Sequence, residues 1–145
     1  MAEYNKVGLL AIRDGRILLC RKKHTTSLLI LPGGCLEVGE TATECLRREL
    51  REELGPVEVD SLAYVGTYED SAAGDEGKTV KIQLYSGALH GEPRAESEIK
   101  ELYWFGPEDD PTLLAPSIFN KILPDLLARG ILWPGVPVGK LIAPV

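Results

Sequence analysis

Residues 34–55 read GCLEVGETATECLRRELREELG, a run crowded with glutamates, two of which, Glu52 and Glu53, are adjacent. Like charges repel along a helix, so such crowding is sustained best where a multivalent cation sits among the carboxylates. Just upstream, Leu31-Pro32-Gly33-Gly34 marks the end of a strand, because Pro32 lacks a backbone donor and paired glycines adopt conformations closed to other residues. Thr41 or Thr43 can cap a helix that stops at Gly55, with Pro56 barring continuation. Ala42, Leu46, Leu50 and Leu54 recur every four residues, with Cys45 beside them, and form its buried stripe. Glu49, Glu52 and Glu53 share another side of the same helix, where three carboxylates can converge. Arg48 lies one turn before Glu52 and can pair with it, while Arg47 and Arg51 face solvent.

Oxygen donors without cysteine or histidine partners favour Mg²⁺ or Mn²⁺ over zinc. Magnesium usually takes one or two carboxylates and completes its shell with water and substrate phosphate. The cluster therefore implies a small phosphate-bearing ligand. An ordinary solvated helix laced with glutamate–arginine pairs is the competing reading. The Gly-Gly turn and the fixed spacing favour the metal site.

The stretch resembles the Nudix box, which runs Gly, five residues, Glu, seven residues, Arg-Glu-aliphatic-any-Glu-Glu-any-Gly-aliphatic. Gly34, Glu40, Arg48, Glu49, Leu50, Glu52, Glu53 and Gly55 all match in register, and only Pro56 departs, where an aliphatic residue is usual. The resemblance implies a Nudix-type α/β/α sandwich with a mixed β-sheet, and hydrolysis of a diphosphate linkage in a nucleoside diphosphate derivative with divalent cations. By position, Glu52 and Glu53 are implied metal ligands, Glu49 a third ligand or the base, and the Gly33 carbonyl a backbone ligand. Arg48 would orient the cluster, Glu40 would brace the loop onto the helix, and Gly34 and Gly55 would serve the shape of the motif. Relatives often add a carboxylate from a distant loop, and among Glu96, Glu98 and Glu101 the spacing of Glu98 matches best.

Substrate choice lies outside the box. Arg21, Lys22 and Lys23 follow the second strand and can meet substrate phosphates. The short chain and early strand–turn–strand resemble the compact branch acting on nucleoside triphosphates, some oxidised, where Asn120 is the counterpart of a base-reading residue. ADP-ribose-cleaving relatives tend to carry a proline downstream of the box, and residues 70–77 contain none. The aromatic residue common before the Pro-Gly-Gly turn is replaced by Leu29-Ile30-Leu31. Alternatives are an ADP-sugar or dinucleoside polyphosphate pyrophosphatase, and a non-catalytic nucleotide-binding regulatory module.

The remaining chain bounds these readings. Its 145 residues suit one domain with a full core, at 44 % hydrophobic and 26 % charged content. The formal charge of −6 argues against coating nucleic acid. No apolar run is long enough for a membrane span, and the N-terminus lacks a secretory pattern. Cys20, Cys35 and Cys45, odd in number and without metal-site spacing, read as reduced thiols of a cytoplasmic protein.

Strands are expected at residues 7–12 and 16–20 around Asp14-Gly15, with an apolar run at 27–31. Others follow at 57–68, at 79–85, where Val80, Ile82 and Leu84 alternate with polar residues, and at 101–105. Residues 69–78 read as a loop, and 116–129 as a helix disturbed at Pro124. Two units follow: a domain at 1–129, and a tail at 130–145 rich in proline and glycine that docks on its own domain or on a second copy in a homodimer.

Overall fold

The computed structural model describes residues 3–24 and 26–135. Strands β1 (Tyr4–Leu10), β2 (Ile12–Arg13), β3 (Arg16–Lys22) and β4 (Gly33–Cys35) precede helix α1 (Ala42–Leu54). Strands β5 (Glu58–Ser71), β6 (Thr79–His90) and β7 (Ile99–Phe105) lead to a short 3₁₀ turn, a π-helical turn at Ile118–Ile122 and helix α2 (Leu123–Ala128). A four-stranded sheet has the order β4-β1-β6-β5, and a three-stranded sheet the order β2-β3-β7. Strand β1 runs parallel to β6 and antiparallel to β4, so the larger sheet is mixed.

Alternation along the strands assigns the two faces. Val7, Leu9, Ala11 and Leu18 pack with Cys45, Leu46, Leu50 and Leu54 of α1. Leu10, Ile17, Leu19, Val80, Ile82 and Leu84 pack on the other side with Ile118, Ile122, Leu126 and Leu127. Because successive strand side chains point oppositely, each sheet buries both faces and becomes the middle layer of an α/β/α sandwich.

The sequence expectations are modified in four places. The turn at Pro32 does not end all pairing: Gly33–Cys35 is itself a short strand against β1, in register Gly8↔Gly33 and Lys6↔Cys35. Residues 27–31 form only single bridges, Cys20↔Ile30 and Leu29↔Leu114. The hairpin strands run longer than expected, so the loop shrinks to residues 72–78. The second helix begins as a π turn in which the Leu123 amide donates to the Ile118 carbonyl. Pro124 has no N–H for the Asn120 carbonyl, and widening the preceding turn accommodates that missing bond.

Of the expected tail, only residues 130–135 are described. Trp133 packs on Phe105 with ring centroids 6.1 Å apart and donates from Nε1 to the Gly15 carbonyl at 2.6 Å. The expectation for residues 136–145 lies outside the described residues. No described helix is long and apolar enough to cross a membrane.

Candidate metal centre and adjoining cavity

Helix α1 is fixed at its start by reciprocal bonds. The Thr41 hydroxyl accepts from the Glu44 amide at 3.2 Å, and Glu44 accepts from the Thr41 amide at 2.9 Å. Thr41, not Thr43, is therefore the cap. The helix ends at Gly55, which has φ +75°, a conformation suited to glycine. The segment after β6 then covers the last carbonyls: Arg94 N–H donates to Leu54, and Glu96 N–H to Glu53. These two bonds run the Glu96–Glu98 segment along the end of α1.

Glu53 points inward and is 7 % exposed. Its Oε1 accepts from the Gly33 amide at 2.9 Å, joining α1 to β4. Burial pushes its pKa up to about 7, against the opposing pull of the Gly33 N–H and Lys22. At Gly33, with φ +140°, an added Cβ would lie 2.0 Å from the Val7 carbonyl oxygen. At Gly34 it would lie 2.2 Å from Glu49 Cδ. Gly33 is required by its positive φ and its approach to the β1 backbone, whereas a side chain at Gly34 would push the Glu49 carboxylate aside.

Arg48 is the hub on the outer side. Its Nε and Nη2 donate to the two oxygens of Glu40 at 2.7 and 3.0 Å, a bidentate pair. Its Nη1 donates to Glu49 at 2.9 Å and stands 3.7 Å from Glu52. These Arg48 bonds hold the Glu40 carboxyl down to about 2 and raise the guanidinium pKa further. The expected partner Glu52 is thus secondary. Its side chain is 56 % exposed, whereas the bidentate geometry of Glu40 wins the guanidinium. Arg47 is exposed as expected, and it also donates to the Val59 carbonyl at 2.6 Å.

Glu49, Glu52 and Glu53 lie within two turns of α1, yet they are not gathered. Among the described residues no three His, Cys, Asp or Glu side chains stand together at metal-holding distance. Glu49 is held by Arg48, Glu53 by Gly33, and Glu52 extends outward, so mutual repulsion and separate partners keep them apart. The donor chemistry nevertheless fits a hard dication. Glu53 is a buried carboxylate with no ion-pair partner among the described residues, and every candidate donor is oxygen.

A cavity of about 300 Å³ opens beside Gly33, on the α2 side of the larger sheet. Lys6, Lys22 and Gly33 line it together with Ile82, Ile118 and Ser117. Of the expected substrate residues, Lys22 is on this wall. Arg21 is not: it faces Glu101 across the β3–β7 register, pairs with that carboxylate, and donates to the Ser27 carbonyl at 2.6 Å. Asn120 also lies off the cavity lining, donating to Asp70 at 2.9 Å. Glu98 is exposed, and its carbonyl accepts from Lys23 N–H.

Two cavity residues escaped the sequence reading. Lys6 looks like an ordinary strand lysine unless the apolar face of β1, Val7 and Leu9, is used to assign it to the opposite face. Ser117 is 4 % exposed, but nothing in its sequence neighbourhood distinguishes it from a surface serine. The three cysteines form no disulfide, and burial raises the Cys20 and Cys45 thiols to about 12, leaving them unreactive.

Comparison with known proteins bears on the family and the fold. The NUDIX domain family model matches residues 5–126. An ADP-ribose pyrophosphatase of Methanocaldococcus jannaschii is 33 % identical over 104 residues, 70 % of this chain and 60 % of that protein. The NAD-capped RNA hydrolase NudC of Vibrio atlanticus is 39 % identical over 99 residues, 67 % of this chain and 35 % of its own. This chain spans three-fifths or less of these two curated relatives. Among solved structures, a MutT NUDIX hydrolase from Burkholderia pseudomallei superposes with TM-score 0.67 at 27 % identity, covering 77 % of this chain and 89 % of that one. The E. coli ORF135 protein gives 0.64 at 30 % identity, covering 81 % and 84 %. Fold, box and family match coincide, and the chain belongs to the Nudix family of hydrolases.

Proposed function

We propose that this chain hydrolyses the diphosphate linkage of a nucleoside triphosphate, oxidised forms included, by water attack at phosphorus with Mg²⁺ or Mn²⁺. The observation that carries this reading is that Gly33, whose amide holds Glu53, also lines a cavity large enough for one nucleoside. Ligand pockets commonly run from about 300 to 1,000 Å³, so a cavity of about 300 Å³ suits one base and sugar better than two.

Glu52, Glu53 and the Gly33 carbonyl would hold the metal, with Glu49 either a third ligand or the proton acceptor. A bound dication neutralises phosphate oxygens and lowers the pKa of water. Arg48 holds the Glu49 carboxylate in one rotamer, and Glu40 in turn holds Arg48. The Gly33 N–H fixes Glu53 from the β4 side. Water supplies the oxygen that joins phosphorus, one P–O bond of the anhydride breaks, and the proton passes to base. Catalysis then rests on positioning and charge stabilisation, with no protein nucleophile. Glu98 supplies a further carboxylate only if its exposed side chain turns inward.

Hydrolysis of ADP-ribose is the second reading, favoured by the 33 % identity to the M. jannaschii ADP-ribose pyrophosphatase. A panel of the nucleoside triphosphates, 8-oxo-dGTP, ADP-ribose and NADH, assayed with Mg²⁺ and Mn²⁺, separates the two. The proposal expects nucleoside monophosphate and pyrophosphate from a triphosphate, abolished by EDTA. Turnover of ADP-ribose alone would replace it, and no turnover with any metal would overturn it.

A further inference from the structure

The cavity carries charge that the proposed mechanism does not use. Lys6 lies on β1 beside Ile82 of β6 and Cys35 of β4, on the sheet face opposite Val7 and Leu9. It is half-buried, and its ammonium stands 5.7 Å from the Tyr4 ring. Lys22, at the end of β3, lines the same wall. Nearby Lys78 pairs with Asp75 at 3.8 Å, but among the described residues neither Lys6 nor Lys22 is ion-paired. Lys6 and Lys22 disfavour one another on this wall, and the neighbouring Glu53 carboxylate is a partial counter-charge. An anion brought to that wall, once Glu53 is engaged by a dication, meets two ammonium groups on one side of the cavity.

We propose that Lys6, with Lys22 beside it, binds the phosphate chain of the substrate at the Gly33 end of the cavity. This rests on the nucleotide reading above and adds the substrate's orientation. The rest of the lining includes the aliphatic Leu31, Ile82 and Ile118, the nearly buried Ser117, and Tyr4 with Asp75. The phosphates therefore stay beside Gly33, where α1 presents Glu53, and the base lies among the aliphatic side chains with one hydroxyl to read its edge. Gly8 follows the same face as Lys6, and a Cβ there would come within 3.3 Å of Leu31 Cδ1, so a side chain would crowd the cavity floor.

The test separates phosphate binding from turnover. Inorganic tripolyphosphate is titrated calorimetrically into the full chain at low ionic strength with EDTA, using wild type, Lys6→Met, Lys6→Arg and the exposed-charge control Lys100→Gln. Lys6→Met keeps the stem and removes the charge, so the strand stays packed; thermal melts check this, and Lys22→Gln supplies an independent variant. Binding is expected to weaken about tenfold or more in Lys6→Met and Lys22→Gln, to return within a few-fold in Lys6→Arg, and to change little in Lys100→Gln. Unchanged affinity in Lys6→Met and Lys22→Gln, an equal loss in Lys100→Gln, or no wild-type binding would each overturn the proposal. Because no hydrolysis is involved, failure here leaves the nucleotide panel standing, and failure of the panel leaves this result readable.

Discussion

The Gly33 amide donates to Glu53 Oε1 at 2.9 Å, so the sheet and the acidic helix are locked at a glycine that lines the cavity. One side chain thereby answers to two elements. Whatever moves β4 relative to α1 moves the candidate metal site as well.

Gly34→Ala tests how tightly the loop packs on the helix. Its Cβ would sit 2.2 Å from Glu49 Cδ, forcing that carboxylate off Arg48. A displacement of about 1 Å at a catalytic group can cost on the order of 10²-fold in rate. We expect a loss of kcat of that size with an unchanged circular dichroism spectrum. Wild-type turnover would show that Glu49 need not hold its place.

Glu40→Gln tests the Arg48 hub through its pH dependence. The guanidinium holds the folded Glu40 carboxyl at about 2, below the ordinary 4.5. A depressed carboxylate stabilises the fold above its unfolded pKa, and that contribution fades as pH falls toward the folded value. The urea midpoint of wild type should therefore exceed that of Glu40→Gln at pH 7, with the gap narrowing steadily below pH 4.5. A constant gap would mean that lost packing, not charge, explains the difference.

Leu50→Ala tests the buried stripe of α1. Leu50 is almost wholly enclosed between β1, β3 and the helix. Such truncations cost about 2–5 kcal/mol through lost transfer energy and residual cavity. Chemical denaturation should show a change in that range, whereas a change below about 1 kcal/mol would indicate that the two layers close up freely.

The motif was readable because its constraints are local. A helix period puts Leu46, Leu50 and Leu54 on one face and the box glutamates on another, and the structure keeps that division. Partnerships across the loop were not readable. Helix spacing couples Arg48 to Glu52, but the folded loop delivers Glu40, whose two oxygens match the guanidinium fork. Arg21 has the charge to meet a phosphate, yet β-register sets Glu101 opposite it. Asn120 likewise lies off the cavity lining, its side-chain amide donating to Asp70, a partner 50 residues away in sequence. Lys6 and Ser117 share a cavity only because β1 and the π turn meet in space, 111 residues apart in sequence by their numbers.

Central to the account is that Glu53 binds a dication needed for phosphorus–oxygen cleavage. The direct measurement is Mn²⁺ titration by calorimetry alongside turnover, on wild type and Glu53→Gln. The amide keeps an oxygen for the Gly33 N–H but loses the charge. We expect Glu53→Gln to melt near the wild-type temperature, to bind Mn²⁺ at least tenfold more weakly, and to lose turnover by about 10³-fold. Wild-type Mn²⁺ affinity and turnover in Glu53→Gln would contradict the account.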